Sequence, residues 1–140
     1  IFGPVNYGLS REEAEAQADK VLEDLGISRL RGRYNHRISG GEKRMAAIAT
    51  VLAMEPDVML LDEPSSSLDP KNRRALINTI KKLDKTMLIA SHDLDMILDT
   101  CSRVVLLDGG RVIADGECGD ILHDRELLEA HCLELPLSLL

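Results

Sequence analysis

Two adjacent carboxylates, Asp62 and Glu63, follow directly on the apolar run Val58-Met59-Leu60-Leu61. A second polar group, Ser91-His92-Asp93, follows the apolar run Met87-Leu88-Ile89-Ala90 in the same way. In open parallel sheets, ligands bind in the crevice beyond the carboxyl ends of the strands, so both groups stand where one ligand could meet them. An aspartate in that position can hold Mg2+, directly or through water, while the adjacent glutamate can accept a hydrogen bond from an attacking water. Such a pair suits phosphoryl transfer, although a lone Asp-Glu dipeptide more often does no more than cap a neighbouring helix. A third group, Ser39-Gly40-Gly41-Glu42, opens a segment of helical periodicity. A helix N-terminus there would offer a phosphate free N–H groups, a favourable dipole and a small hydroxyl. Alone, this tetrad reads as an ordinary N-cap; it is the combination of the three groups that points to a nucleotide.

The elements that must position these groups are legible in outline. Ser10 and Glu13 have capping-box spacing, and Ala14, Ala18, Val21, Leu22 and Leu25 recur at helical intervals, which predicts a helix from Ser10 to Leu25 ended by Gly26. A loop bearing Arg29, Arg31, Arg33 and Arg37, read as solvated, leads to Ile38. A second helix then opens at Ser39, with apolar positions Ala46, Ala49, Leu52 and Ala53, and closes before Pro56. The runs at 58–61 and 87–90 are too short for helices and predict strands buried on both faces, with a third helix from about Pro70 to Leu83 between them. Strand, helix, strand implies a parallel sheet, hence an α/β fold. Val104 to Leu107, Asp108-Gly109-Gly110 and Val112-Ile113 predict an antiparallel hairpin added to that sheet, because glycine accepts the positive φ of a tight turn. Beyond Gly119 a further helix through Ile121, Leu122, Leu127 and Leu128 precedes an apolar tail from Leu133 to Leu140.

Composition narrows the function classes. A net charge of −7 argues against a surface built to neutralise a nucleic-acid backbone, so no nucleic-acid partner is expected. Apolar runs fall well short of the roughly 18 residues that a membrane span needs. Cys101, Cys118 and Cys132 are odd in number and lack C-x-x-C spacing, which suggests neither a disulfide framework nor a zinc site and fits a reducing cytosol. Met54, Met59, Met87 and Met96 read as core filler, Cys101 as a small buried side chain, and His36, His123 and His131 as solvated or cap-forming. The opening Ile1-Phe2-Gly3-Pro4 reads as the middle of a longer chain.

Four motifs in order resemble those of the ATP-binding-cassette (ABC) ATPases. Ile38-Ser39-Gly40-Gly41-Glu42 is similar to the signature motif and Val58 to Glu63 to the Walker B strand. Ser66-Ser67-Leu68-Asp69 is similar to the D-loop, and Ser91-His92-Asp93 to the switch-histidine motif. The resemblance implies a partial P-loop NTPase domain in which residues 1–56 form the helical signature region. Residues 57–140 would carry the Walker B, D-loop and switch-histidine motifs and the tail. It also implies ATP and Mg2+ as cofactors. Asp62 would position the metal, Glu63 polarise the attacking water and His92 contact the γ-phosphate. Asp69 would couple the two sites of a dimer, and Ser39, Gly40, Gly41 and Glu42 would close over a nucleotide held by a second ABC ATPase subunit. An integral membrane transporter subunit would be the other partner, with the ATPase peripheral on the cytoplasmic face.

Phe2-Gly3-Pro4 and the stretches Leu127-Leu128-Glu129 and Leu133-Glu134-Leu135-Pro136 further resemble cobalt and energy-coupling-factor importers, implying a cobalt, nickel or vitamin substrate. The sequence departs from the family pattern in three ways. It contains no G-x-x-x-x-G-K-[ST] and no Q-loop glutamine ahead of Phe2, and Met45 stands where arginine is usual, a change expected to weaken a helix contact. The isolated chain is therefore expected to be inactive, with exposed ladder edges that invite pairing with a second copy. Two other readings are the carboxy-terminal half of a chromosome-maintenance or DNA-repair ATPase head and a non-hydrolytic module that donates its signature motif. The former would begin in a long coiled coil, which the short helix ending at Gly26 does not provide.

Overall fold

The computed structural model describes residues 1–140, which form two compact units, Ile1–Ala90 and Ser91–Leu140. In the first unit a short helix, α1 (Phe2–Asn6), precedes α2 (Arg11–Asp24). The capping box at the start of α2 is fully formed: the Ser10 hydroxyl accepts the Glu13 N–H at 3.2 Å, and the Glu13 carboxylate accepts the Ser10 N–H at 2.9 Å. Then follow α3 (Gly40–Leu52), β1 (Val58–Asp62), α4 (Pro70–Lys82) and β2 (Thr86–Ala90). Helix α4 starts where it does because Asp69 accepts the N–H groups of Lys71 and Asn72, both at 3.0 Å, while Pro70 supplies a pre-set φ at its first position.

The core of this unit gathers Leu25 and Ile27 behind α2, Met45, Ile48, Ala49 and Leu52 of α3, Met59 and Leu61 of β1, and Leu76 and Ile80 of α4. The buried stripe of α3 therefore runs i, i+3, i+4, i+7 from Met45, with Ala46 only half-buried, so the helix is rotated towards Met45 and Ile48 relative to the sequence expectation. Met45, fully buried, is a member of the core.

β1 and β2 pair in parallel from Val58↔Thr86 to Asp62↔Ala90, as the strand-helix-strand pattern requires. Their burial corrects the sequence reading. Met59 and Leu61 face the core and Met87 and Ile89 pack against it, whereas Val58, Leu60 and Leu88 are 58%, 73% and 67% exposed. Both strands are thus covered on one face, because the helices that pack on the pair all lie on the side of Met59 and Leu61.

The second unit contains α5 (Leu94–Thr100), the hairpin β3 (Arg103–Asp108) and β4 (Arg111–Glu117), and two short helices, α6 (Cys118–His123) and α7 (Arg125–Ala130). Gly109 and Gly110 turn the hairpin with φ of +53° and +73°, the mirror-image turn that side-chain-bearing residues disfavour. Contrary to expectation, the hairpin does not extend the parallel sheet; it forms a two-stranded sheet of its own. Nor is the helix beyond Gly119 continuous: Asp124 interrupts it and caps α7 by accepting the Leu127 N–H at 2.9 Å. Met96, Leu106, Ile121, Leu122 and Leu128 form the buried interior, with Cys118, rather than Cys101, as the buried thiol. The tail is fixed by Asp95, whose carboxylate accepts the N–H groups of Leu137 and Ser138, and by the fully buried Pro136. No helix is long and apolar enough to cross a membrane.

Candidate functional site

At the amino end of α3, Ser39 and Glu42 form a second capping box, with the Ser39 hydroxyl accepting the Glu42 N–H at 3.2 Å and the Glu42 carboxylate accepting the Ser39 N–H at 2.9 Å. Glu42 is also paired with Arg29 at 3.1 Å, and Arg31 pairs with Asp19, so two of the loop arginines are engaged rather than simply solvated. The N–H groups of Gly40 and Gly41, in the first turn, have no acceptor within the helix. Around Gly40 the space is open: a side chain built there would meet nothing within 4 Å. At Gly41 an added Cβ would lie 3.3 Å from the Ser67 carbonyl, a contact tight enough that the 66–69 loop would have to give by a few tenths of an ångström.

The other polar group leaves the carboxyl end of β1. Asp62 is exposed, and Glu63 adopts φ +46°, a left-handed conformation that disfavours a side-chain-bearing residue by about 1–2 kcal/mol. It is held there from both sides. The Glu63 N–H donates to Ala90 O at 2.8 Å, while the Glu63 carbonyl accepts the Arg44 guanidinium at 2.8 Å and the Ser66 N–H at 3.2 Å. A second left-handed residue, Ser67 (φ +62°), turns the loop onward to Asp69. Within the first unit the structure therefore brings together Ser39 to Glu42, the Asp62-Glu63 strand end and the 66–69 loop. Arg44 joins two of these pieces and escaped the sequence reading, since an arginine one turn into a polar helix face carries no signal of a contact 19 positions away.

His92 stands two positions beyond the end of β2 and belongs to the second unit. Its flanks are fixed locally: Asp93 caps α5 by accepting the Met96 N–H at 3.0 Å, and the Asp93 N–H donates to the Ser91 hydroxyl at 3.1 Å. Of the remaining histidines, read as solvated or cap-forming, His36 and His123 are exposed, whereas His131 is half-buried and its ring is paired with Asp108. His123 Nδ1 lies 2.6 Å from Gly119 O, His131 Nδ1 lies 2.8 Å from the Asp108 carboxylate, and His36 stacks on Tyr34. A cleft of about 230 Å³ between Val21, Leu52, Pro56, Met59 and Leu83 opens towards the amino end of β1; its lining is chiefly apolar and includes none of the candidate residues.

Asp62 is a hard-oxygen donor suited to Mg2+, but no group of three His, Cys, Asp or Glu side chains converges anywhere in the chain. The open turn at Gly40 fits a phosphate.

Two capping carboxylates have perturbed acidity. The Ser39 N–H and hydroxyl hold Glu42 below the usual carboxylate range, and the Asn72 N–H, followed by that of Lys71, does the same for Asp69. A carboxylate with a depressed folded pKa contributes stability that is present above its unfolded pKa, about 4, and is lost as pH falls through the folded value. Acid titration followed by far-UV circular dichroism should therefore show stability declining below about pH 4. Glu42→Gln should be less stable at neutral pH and show a shallower acid dependence; equal acid slopes would count against the capping role.

Comparison with known proteins places this geometry in a family context. Residues 5–66 match the family described as ABC transporter. An ABC transporter ATP-binding protein of Gloeobacter violaceus is 50% identical over 140 residues, covering 99% of this chain and 57% of that protein. The energy-coupling factor transporter ATP-binding protein EcfA of Methanothermobacter thermautotrophicus is 41% identical over 96% of this chain and 44% of its own length. Among solved structures, cbiO1 of Clostridium perfringens, described as part of the ABC transporter complex cbiONQ, superposes with a TM-score of 0.74 at 36% identity, over 96% of this chain and 55% of that one. The chain thus spans about half the length of the curated relatives it matches.

Proposed function

We propose, because the chain belongs to the ABC transporter ATP-binding protein family, that it forms the carboxy-terminal part of an ATPase subunit that couples ATP hydrolysis to import. The observation that carries this reading is the held strand end. Asp62 and Glu63 leave a parallel strand beside the glycine turn of α3, and the Glu63 backbone is fixed at both its N–H and its carbonyl.

In this reading Glu63 accepts a hydrogen bond from the attacking water, and His92 contacts the γ-phosphate. Ser39, Gly40 and Gly41 present their N-terminal turn to a nucleotide held by the opposing ATPase subunit, with Glu42 fixing that turn. Asp69, the cap of α4, lies on the loop that abuts Gly41 and couples the two sites of the dimer. Asp62 is the ligand for Mg2+, which when bound offsets negative charge on the phosphate oxygens. The partners are a second ABC ATPase subunit and an integral membrane subunit, with this chain peripheral on the cytoplasmic face. The likeness to EcfA and cbiO1 supports an importer of the energy-coupling or cobalt type, with cobalt, nickel or a vitamin as the transported class.

The 140 residues contain no G-x-x-x-x-G-K-[ST], and in this reading the phosphate-cradling loop lies in another part of the complete cassette. The test is ATP hydrolysis by the 140-residue chain beside the same chain joined to its upstream coding sequence. The longer polypeptide should turn over ATP and the shorter should not; turnover by the short chain alone would refute the reading.

A further inference from the structure

We propose that Arg44 is a positioning residue for Glu63, acting through the Glu63 carbonyl to set the backbone from which the carboxylate is presented. This rests on the reading of Glu63 as the residue that polarises the attacking water. Three observations carry it. Glu63 adopts φ +46° without being a glycine, a conformation that persists only where its surroundings impose it. Its N–H is tied to Ala90 O on the neighbouring strand, which fixes one end of the residue. At the other end, the Arg44 guanidinium donates to the Glu63 carbonyl at 2.8 Å in a part-buried setting, a charge-assisted bond stronger than the 3.2 Å contact from Ser66 N–H to the same oxygen. Arg44 itself is steadied by its neighbour Met45, fully buried in the core, so the donor projects from an anchored turn of α3. Releasing the carbonyl would let φ of Glu63 relax from +46°, and that rotation about N–Cα swings Cβ and with it the carboxylate, leaving its chemistry intact.

The test is steady-state ATP hydrolysis by the complete cassette carrying Arg44→Met, Arg44→Lys or Glu63→Gln, together with the Arg44→Met/Glu63→Gln double variant. Misplacing a reacting group by about 1 Å can slow turnover roughly a hundredfold. Arg44→Met should accordingly lower kcat about tenfold or more with the KM for ATP nearly unchanged. Arg44→Lys, which keeps a charged donor, should recover much of the loss, and Arg44→Met should add nothing to Glu63→Gln. Should Arg44→Met fail to fold, Arg44→Gln compared with Arg44→Lys reads the same effect. The proposal is overturned if Glu63→Gln abolishes turnover while Arg44→Met leaves kcat unchanged. It is also overturned if the Arg44 effect persists undiminished in the Glu63→Gln background. If Glu63→Gln itself leaves turnover intact, the role of Glu63 fails and that of Arg44 with it.

Discussion

Glu63→Gln in the complete cassette is expected to lower ATP turnover by about 10²–10⁴-fold, the range over which a positioned general base contributes. The amide is nearly isosteric with the carboxylate and keeps every backbone contact of the strand end: the N–H to Ala90 O, and the carbonyl to Arg44 and Ser66. What it removes is the negative charge and the ability to take up a proton from water. The strand end should therefore stay folded, as thermal unfolding will show, and ATP affinity, measured by fluorescent-nucleotide displacement, should be retained. Turnover within a few-fold of the unmodified protein would eliminate Glu63 as the base, whereas loss of turnover with a large fall in melting temperature would mean that the strand end itself had come apart.

The largest stability effect is expected from Leu76→Ala. Leu76 has no exposed surface, and α4 sets it among the core side chains that include Leu25, Met45 and Leu61. Removing a buried leucine side chain forfeits its transfer free energy and leaves a cavity, typically costing about 2–5 kcal/mol, a large share of the roughly 5–15 kcal/mol that stabilises an ordinary domain. Leu137→Ala, at a position 75% exposed, should change stability by no more than about 0.5 kcal/mol. Urea denaturation of the two variants reads the difference, and similar midpoints would mean that the core is not organised around α4 as described.

Features that depend on near neighbours in sequence were the most legible. The capping box of Ser10 with Glu13 and the N-cap at Ser39 close over three residues, and the Gly109-Gly110 turn is dictated by backbone sterics at two positions. The candidate groups could be read because strand, turn and helix N-terminus each leave a local mark. The burial of β1 and β2 could not be read this way. Val58 and Leu60 are as apolar as Met59 and Leu61, and only the placement of the helices decides which face is covered. The same holds for Arg31 with Asp19 and for Arg44 with Glu63, where polar side chains meet across a distance that periodicity does not encode. Nor is the left-handed backbone at Glu63 announced by a glycine or asparagine; it results from the bonds at its two ends.

That backbone conformation sets a limit on redesign. A program of substitutions chosen for thermal robustness would favour glycine at position 63, because glycine adopts φ +46° without steric penalty. The same exchange deletes the proposed base, so the selection pressures on fold and on chemistry oppose each other at one residue, and a lineage freed from the need to hydrolyse ATP would have a physical incentive to lose it.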